Sequence, residues 1–389
     1  MNESPSLQVL SFIDWYSPAY KGGGPIRSLL NLSALLRQNI SFSIICSKYE
    51  IDGTLLNVAQ DQWTHGPSDE KVFYCVKPKK KEIQKWLIAH PNGCFHINGM
   101  YSFSFSILPL LFHKLFFSST KLVVSPRGML NPGARAIKPL KKKAYLYCAK
   151  ILGLYAKAEW HATSAEEAQW IQHFFGSQNP LHVLSNIPIP PLDKLPTLVK
   201  QKGSLKMYSS TRIVPIKQLE VILKALQQVN TSSAHITYHL YGPIEDQTYA
   251  ASLEKMAKEI VGLDFALKGP LTPEELTKIR KQYHLFCLPS ANENFGHAIY
   301  ESFSNACPVI ISDQTPWHAL EKEHAGFDIN CADLNAFASS LQKFCDMEQI
   351  EWQTWQEGAL AFARKHFKRE EWIKGYLALF ANHADQSVH

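Results

Sequence analysis

Short apolar runs alternate with amphipathic stretches along nearly the whole chain, and the rhythm restarts after a proline-rich break. This alternation constrains the fold more than any other feature. In the first half the runs are LQVLSFI (7–13), FSIICS (42–47), CFHIN (94–98), KLVVS (121–125), EWHAT (159–163) and LHVLS (181–185). In the second they are SLKMYSS (204–210), ITYHLYG (236–242), DFALKG (264–269), HLFCLP (284–289) and PVIIS (308–312). Stretches of helical period lie between them, among them 26–38, 166–175, 218–229 and 273–283. Strands alternating with helices argue for parallel sheets. The segment 185–204, SNIPIPPLDKLPTLVKQKGS, is proline-rich and aperiodic, so it reads as a junction. The expectation is two doubly wound α/β domains, 1–187 and 205–366, with a linker at 188–204. A helical segment, 367–389, is expected to pack back on the first domain. Ligands of such sheets bind outside the carboxyl ends of the strands, so two facing domains would form a deep cleft.

Composition narrows the function classes. A length of 389 residues suits two domains of ordinary size. The net charge of +6 is too mild to imply nucleic acid and suits a phosphate-bearing ligand or an anionic membrane surface. None of the 8 cysteines forms a CxxC pair, and several fall in strand-like runs, so reduced, buried thiols are expected. The start, MNESPSLQVL, lacks the pattern of a signal peptide. The most apolar segment, FSFSILPLLFHKLFF (103–117), is shorter than the roughly 20 apolar residues of a spanning helix and is interrupted by Pro109, His113 and Lys114. It reads as a buried or interfacial helix.

Chemistry concentrates at the strand ends. After the first run, Gly22, Gly23 and Gly24 lead into a helix with Pro25 near its start, a loop able to bring N–H groups to a phosphate or sugar. It is not GxGxxG, because Arg27 stands where the last glycine would be, and a simple mobile loop remains an equal reading. FHINGMYS (95–102) places His96 and Asn98 on one side of a strand; for His96 alone a packed, hydrogen-bonded role is favoured. Arg127 follows the KLVVS run and is a plausible anion contact. Lys138, Lys141, Lys142 and Lys143 form a basic cluster beside aromatics, either a solvated face or a membrane-surface patch. Arg212 and Lys217 flank a strand-to-helix turn and suit a diphosphate. In ENFGHAIYE (293–301), Glu293 sits in a loop and Glu301 on the first turns of a helix whose amino end would face the same strand edge. They could be a catalytic pair, hydroxyl clamps or two exposed acids on a capped helix.

These residues resemble the family 4 retaining glycosyltransferases, which have the GT-B architecture of two facing Rossmann-like domains. The family's E-x7-E motif corresponds to Glu293 and Glu301, and its Arg and Lys, five apart, to Arg212 and Lys217. SPRGMLNPGA (125–134), Asn186 in SNIPI, LYGPIED (240–246) and ENFGHAIYESFSNACPVIISDQTPW (293–317) look like a subgroup of bacterial polysaccharide clusters, including lipopolysaccharide and capsule synthesis. The resemblance implies a nucleotide diphosphate sugar as donor, a surface glycan, lipid-linked, as acceptor, and no nucleic acid. Arg212, Lys217 and the backbone around Asn294, Phe295 and Gly296 would hold the diphosphate. Glu293 would contact the sugar and Glu301 the ribose. Gly242, Pro270 and Leu271 would line the donor, Gly23 and Gly24 the phosphates and acceptor, and His96, Asn98 and Arg127 the acceptor side. It further implies no cofactor and no metal, and the chain has no DxD. The expected location is cytoplasmic, with peripheral contact at the inner face of the plasma membrane. One departure stands out. Where many members read HxHG, this chain reads His96-Ile97-Asn98-Gly99, and asparagine is no base at neutral pH. Two rivals share the architecture: a protein that binds nucleotide sugar or glycan without transferring it, and a nucleotide-sugar epimerase.

Overall fold

The computed structural model describes residues 7–136, 138–229 and 235–381. The chain divides into two compact units, Met1–Ile187 with Arg369–His389, and Pro188–Lys368.

The first unit is built on strands β1 (Leu7–Phe12), β2 (Ile40–Ser47), β3 (Trp63–His65), β4 (Lys71–Cys75), β5 (Cys94–Asn98), β6 (Lys121–Ser125), β7 (Ala158–Ala162) and β8 (Leu181–Val183). They form one sheet in the order β3-β4-β2-β1-β5-β6-β7-β8, parallel except for the β3–β4 pair. Every residue of β5 and β7 is buried, as helices on both faces of a parallel sheet require. Phe12, Ile97, Val124 and Trp160 lie in its core.

The second unit carries β9 (Ser204–Ser210), β10 (His235–Tyr241), β11 (Leu263–Gly269), β12 (Leu285–Leu288), β13 (Val309–Ser312) and β14 (Gly326–Ile329). Their order is β11-β10-β9-β12-β13-β14, parallel throughout. Phe286, Tyr300, Phe303 and Ile310 are among its core residues.

In each sheet the strand order reverses at one place, between β1 and β5 and between β9 and β12. Adjacent loops there leave in opposite directions and open a crevice at the carboxyl edge.

The helix Arg369–Phe380 belongs to the first unit and buries Trp372, Tyr376, Leu379 and Phe380, which share one helical face. The Phe380 ring packs on Phe42 and His96, with centroids 5.9 and 5.1 Å apart. The pattern at 362–383 predicts continuous helix, but the helix Gln349–His366 ends at Phe367 before the next begins. Residues 382 and 383 lie outside the described residues.

Three strands fall outside the strand–helix rhythm: β3, β4 and β14. The crossovers from β2 to β4 and from β13 to β14 carry no helix, so the alternation that marks the other strands is missing there. Six cysteines are buried, but Cys148 is exposed and Cys331 half-buried. The apolar segment 103–117 begins as a single π-helical turn, Phe103–Ile107, and continues as the helix Leu108–Phe116 with Phe103, Leu115 and Phe116 exposed. Among the described residues no helix is long and apolar enough to cross a membrane.

Candidate functional site

In the second unit, two loops meet at the β9/β12 reversal. The loop after β9 runs through Arg212 and a short 3-10 turn, Pro215–Lys217, into the helix Glu220–Leu226. The loop after β12 runs through Glu293 and Gly296 into the helix His297–Ser304. The Ala291 N–H donates to Ile216 O at 2.9 Å and ties the loops together. Across them Lys217 Nζ reaches Glu293 Oε1 at 2.6 Å, with 12% and 15% of the side chains exposed. Arg212 Nη1 pairs with Glu245 Oε2 at 2.8 Å in a more open position.

Two glycines shape this edge. Gly242, at the end of β10, has φ 153°, and a Cβ there would lie 1.8 Å from Thr211 O, so no other residue fits. Gly296 caps the helix His297–Ser304 with φ 72°, a left-handed turn that aims the helix's positive end at the strand edge. The Phe295 carbonyl is held by Trp317 Nε1 at 2.8 Å, and the two rings pack edge to face. Asn294 is exposed; Pro270 is exposed and Leu271 half-buried in the loop after β11.

Glu301 lies on the early turns of its helix as expected, but it is neither the exposed acid of one reading nor turned outward as the implied ribose contact needs. It is the fifth residue of its helix, 3% exposed, and its carboxylate bonds Arg280, itself 1% exposed. Burial acts to lower the Arg280 pKa, and the fields of Glu301 and Tyr208 more than reverse this. The pair is an internal tie between two helices.

At the β1/β5 reversal of the first unit, Gly23 and Gly24 are exposed at the start of the helix Gly24–Leu36. Their loop is strapped by Glu50, whose buried carboxylate accepts the N–H groups of Tyr20 and Lys21 at 2.9 and 3.3 Å.

His96 is fully enclosed, as the favoured packed, hydrogen-bonded role expects; the acceptor-side place that the resemblance implies is not a direct contact here. The ring belongs to a buried chain across the sheet: Ser11 Oγ to His96 Nδ1 (3.0 Å), His96 Nε2 to Ser125 Oγ (3.0 Å), Ser125 Oγ to His161 Nδ1 (2.7 Å) and His161 Nε2 to Leu184 O (2.9 Å). A carbonyl only accepts, so His161 carries its proton on Nε2 and accepts at Nδ1 from Ser125. Ser125 then accepts from His96 Nε2–H, leaving His96 Nδ1 to accept from Ser11 and from Asn98 Nδ2 at 3.3 Å. Burial, then the Arg127 charge, pushes both histidines down, His161 to about 3, and keeps them neutral. Asn98 Oδ1 accepts from Arg127 Nε and Nη2 at 3.1 and 2.9 Å, and Asn186 Oδ1 accepts from Nη1 at 2.6 Å.

The second unit carries a match to a known family. Residues 194–359 match the family described as glycosyl transferases group 1. A curated relative, the GtfA subunit of the UDP-N-acetylglucosamine–peptide N-acetylglucosaminyltransferase of Streptococcus gordonii, is 24% identical over 153 residues. That match takes in 38% of this chain and 28% of the relative's length. Among solved structures, sucrose-phosphate synthase of Thermosynechococcus elongatus superposes with a TM-score of 0.67 at 13% identity, covering 96% of this chain and 98% of the other. Anabaena HepE, solved with UDP and glucose, gives a TM-score of 0.65 at 15% identity, covering 96% and 99%. The fold is GT-B, with two Rossmann-like, parallel-sheet α/β units.

Within the group 1 match, the sequence motifs lead to Arg212, Lys217 and Glu293 but not to Arg280. In KIRKQY it looks like one more solvated cation, yet it lies three or four residues from Leu276 and Tyr283, on the apolar stripe. Glu50 has no such signal, since its neighbours Ile51, Asp52 and Gly53 read as an ordinary turn. Asn186 belongs to a quoted motif, and its partnership with Arg127 appears only in the fold.

Proposed function

We propose that the chain is a metal-independent retaining glycosyltransferase. It takes a sugar from a nucleotide diphosphate donor and passes it to a surface-glycan acceptor on a lipid carrier. The carrying observation is the Lys217–Glu293 pair across the β9/β12 reversal, beside the amino end of the helix His297–Ser304. Two cations and a helix amino end at one strand edge suit a diphosphate, and a half-buried carboxylate suits sugar hydroxyls.

In this reading the diphosphate becomes the partner of Lys217 and Arg212, and Glu293 turns to the donor sugar. Charge neutralisation by the two cations then stabilises the leaving group. The departing phosphate takes the acceptor's proton, so Asn98 need not act as a base. The ribose role of Glu301 requires its carboxylate to turn from Arg280 toward the strand edge. The helix Pro139–Ile151 supports a membrane-borne acceptor: Leu140, Tyr147 and Ile151 are exposed at spacings of one face, on a helix that also carries Lys141, Lys143 and Lys150.

The test is a binding screen of UDP-, GDP- and dTDP-sugars, beginning with UDP-glucose, the ligand of HepE in a second solved complex. Product from a bound donor and lipid-linked glycan should keep the donor's anomeric configuration by NMR and form in the presence of EDTA. Binding to no member of the panel sinks the reading. Inversion, or loss of turnover in EDTA, removes its retaining or metal-free part.

A further inference from the structure

The strand ends of the first unit hold one cation in unusual company. Arg127 lies two residues beyond β6, Asn98 ends β5 and Asn186 follows β8, so all three stand at the carboxyl edge of the sheet. We propose that they form a binding site for one oxyanion group, a phosphate or a carboxylate. The identification of that group as part of the acceptor rests on the transferase reading; the anion site itself does not.

The Arg127 guanidinium is half-buried, and among the described residues its hydrogen-bond acceptors are two amides and the Tyr376 phenol, all neutral. The acid whose field reaches it, Glu167, is engaged elsewhere, accepting from Gly128 N–H, Thr163 N–H and Thr163 O–H. No carboxylate forms an ion pair with Arg127 among the described residues. A cation removed from water without a counter-ion is costly, and amide dipoles offset only part of that cost. The bonds to Asn98 and Asn186 occupy three of the five N–H groups of a guanidinium, and the Tyr376 phenol oxygen accepts a further hydrogen bond.

The surroundings fix this arrangement. The proton order that begins at the Leu184 carbonyl runs through His161, Ser125 and His96 and leaves Asn98 Nδ2 donating inward, so that its Oδ1 must face Arg127. Tyr376 O–H donates to Ser185 O at 3.0 Å and Trp372 Nε1 to Ser185 Oγ at 2.9 Å, anchoring the residue before Asn186. Arg127 also has φ 56°, a left-handed conformation that is unfavourable for a non-glycine residue. Both histidines stay neutral, which leaves the guanidinium as the positive charge of the cluster. An oxyanion would supply the missing counter-ion, and the planar fork would orient it where a lysine could not.

The experiment titrates the full chain with glucose 6-phosphate, glucuronate and glucose at fixed ionic strength by calorimetry. Wild type is compared with Arg127→Gln, Arg127→Lys and Lys217→Gln. At least one charged sugar should bind about tenfold tighter than glucose, and both Arg127 variants should lose about tenfold. Lys217→Gln should keep that binding, which separates this site from the diphosphate edge. The tighter of the two charged sugars tells phosphate from carboxylate. Equal binding of all three sugars, or loss with Lys217→Gln alone, overturns the site. Should the Arg127 variants fail to fold, sulfate against chloride on wild type decides: sulfate must displace the charged sugar, and failure to displace it overturns the proposal. UDP binding measured in parallel reports on the transferase reading, so the two can fail separately.

Discussion

The two sheets place different chemistry at the same topological position. At the β9/β12 reversal, charges of opposite sign meet on loops, partly open to water: Lys217 with Glu293 and Arg212 with Glu245. At the β1/β5 reversal and the strands beyond it, a neutral chain of serines, histidines and asparagines is locked under the surface and ends on one arginine. An exposed loop pair such as Arg212–Glu245 exchanges partners at little cost, because it is worth little by itself, and the more enclosed Lys217 can exchange only for another anion. A buried network is satisfied in one arrangement only, and each break strands a polar group. On the proposed reading the first edge trades its carboxylates for a ligand, while the second holds a geometry.

Three measurements bear on this contrast. The largest effect is expected away from both edges, at the buried tie inside the second unit. Arg280→Met should destabilise the second unit by about 3–5 kcal/mol, since Glu301 loses its counter-ion in the interior. Arg280→Met with Glu301→Leu should recover much of that loss in urea titration. If the single variant costs no more than a surface pair would, the tie is not a buried one. Next comes the exchangeable edge. Lys217→Ala should lower transfer by about a hundredfold, and, because it strands a mostly enclosed Glu293, it should lower the melting temperature too, but by less than Arg280→Met. A drop as large as that of Arg280→Met would instead make Lys217–Glu293 a structural pair. The smallest effect belongs to the locked edge and depends on pH. His161 is depressed from 6.5 to about 3 in the fold. The unfolded chain therefore takes up a proton below about pH 6.5 that the folded unit refuses. The stability from neutral His161 is complete above that pH and is lost as pH falls toward 3. Between pH 6.5 and 5 the loss should approach about 2 kcal/mol. His161→Gln should flatten that part of the pH profile, and an unchanged slope would show that the network does not control acid sensitivity.

Much of the architecture could be read from periodicity, because parallel strands between helices leave apolar runs at regular spacing. The reading failed where the physics gives no such trace. β3 has three residues, and β4 and β14 are reached without a helix. Strand-end chemistry was equally visible for Arg212, Lys217, Glu293 and Arg127, since polar residues just after an apolar run fall at a sheet's carboxyl edge. Partner choice was hidden. Lys217 and Glu293 are 76 residues apart, and Arg127 and Asn186 are 59 apart. No local pattern couples residues at such separations.

Sequence alone therefore determined the two α/β units and the residues at their edges, because strand period, helix period and turn residues are local properties. Only the tertiary structure decided which of those residues face outward and with whom they pair. It made Glu301, for which a ribose contact and an exposed acid were both open, the buried partner of Arg280, and it chose the internal link for His96. The cause is burial: once helices cover both faces of a sheet, every enclosed polar group must find a partner, and the nearest one in space is rarely near in sequence.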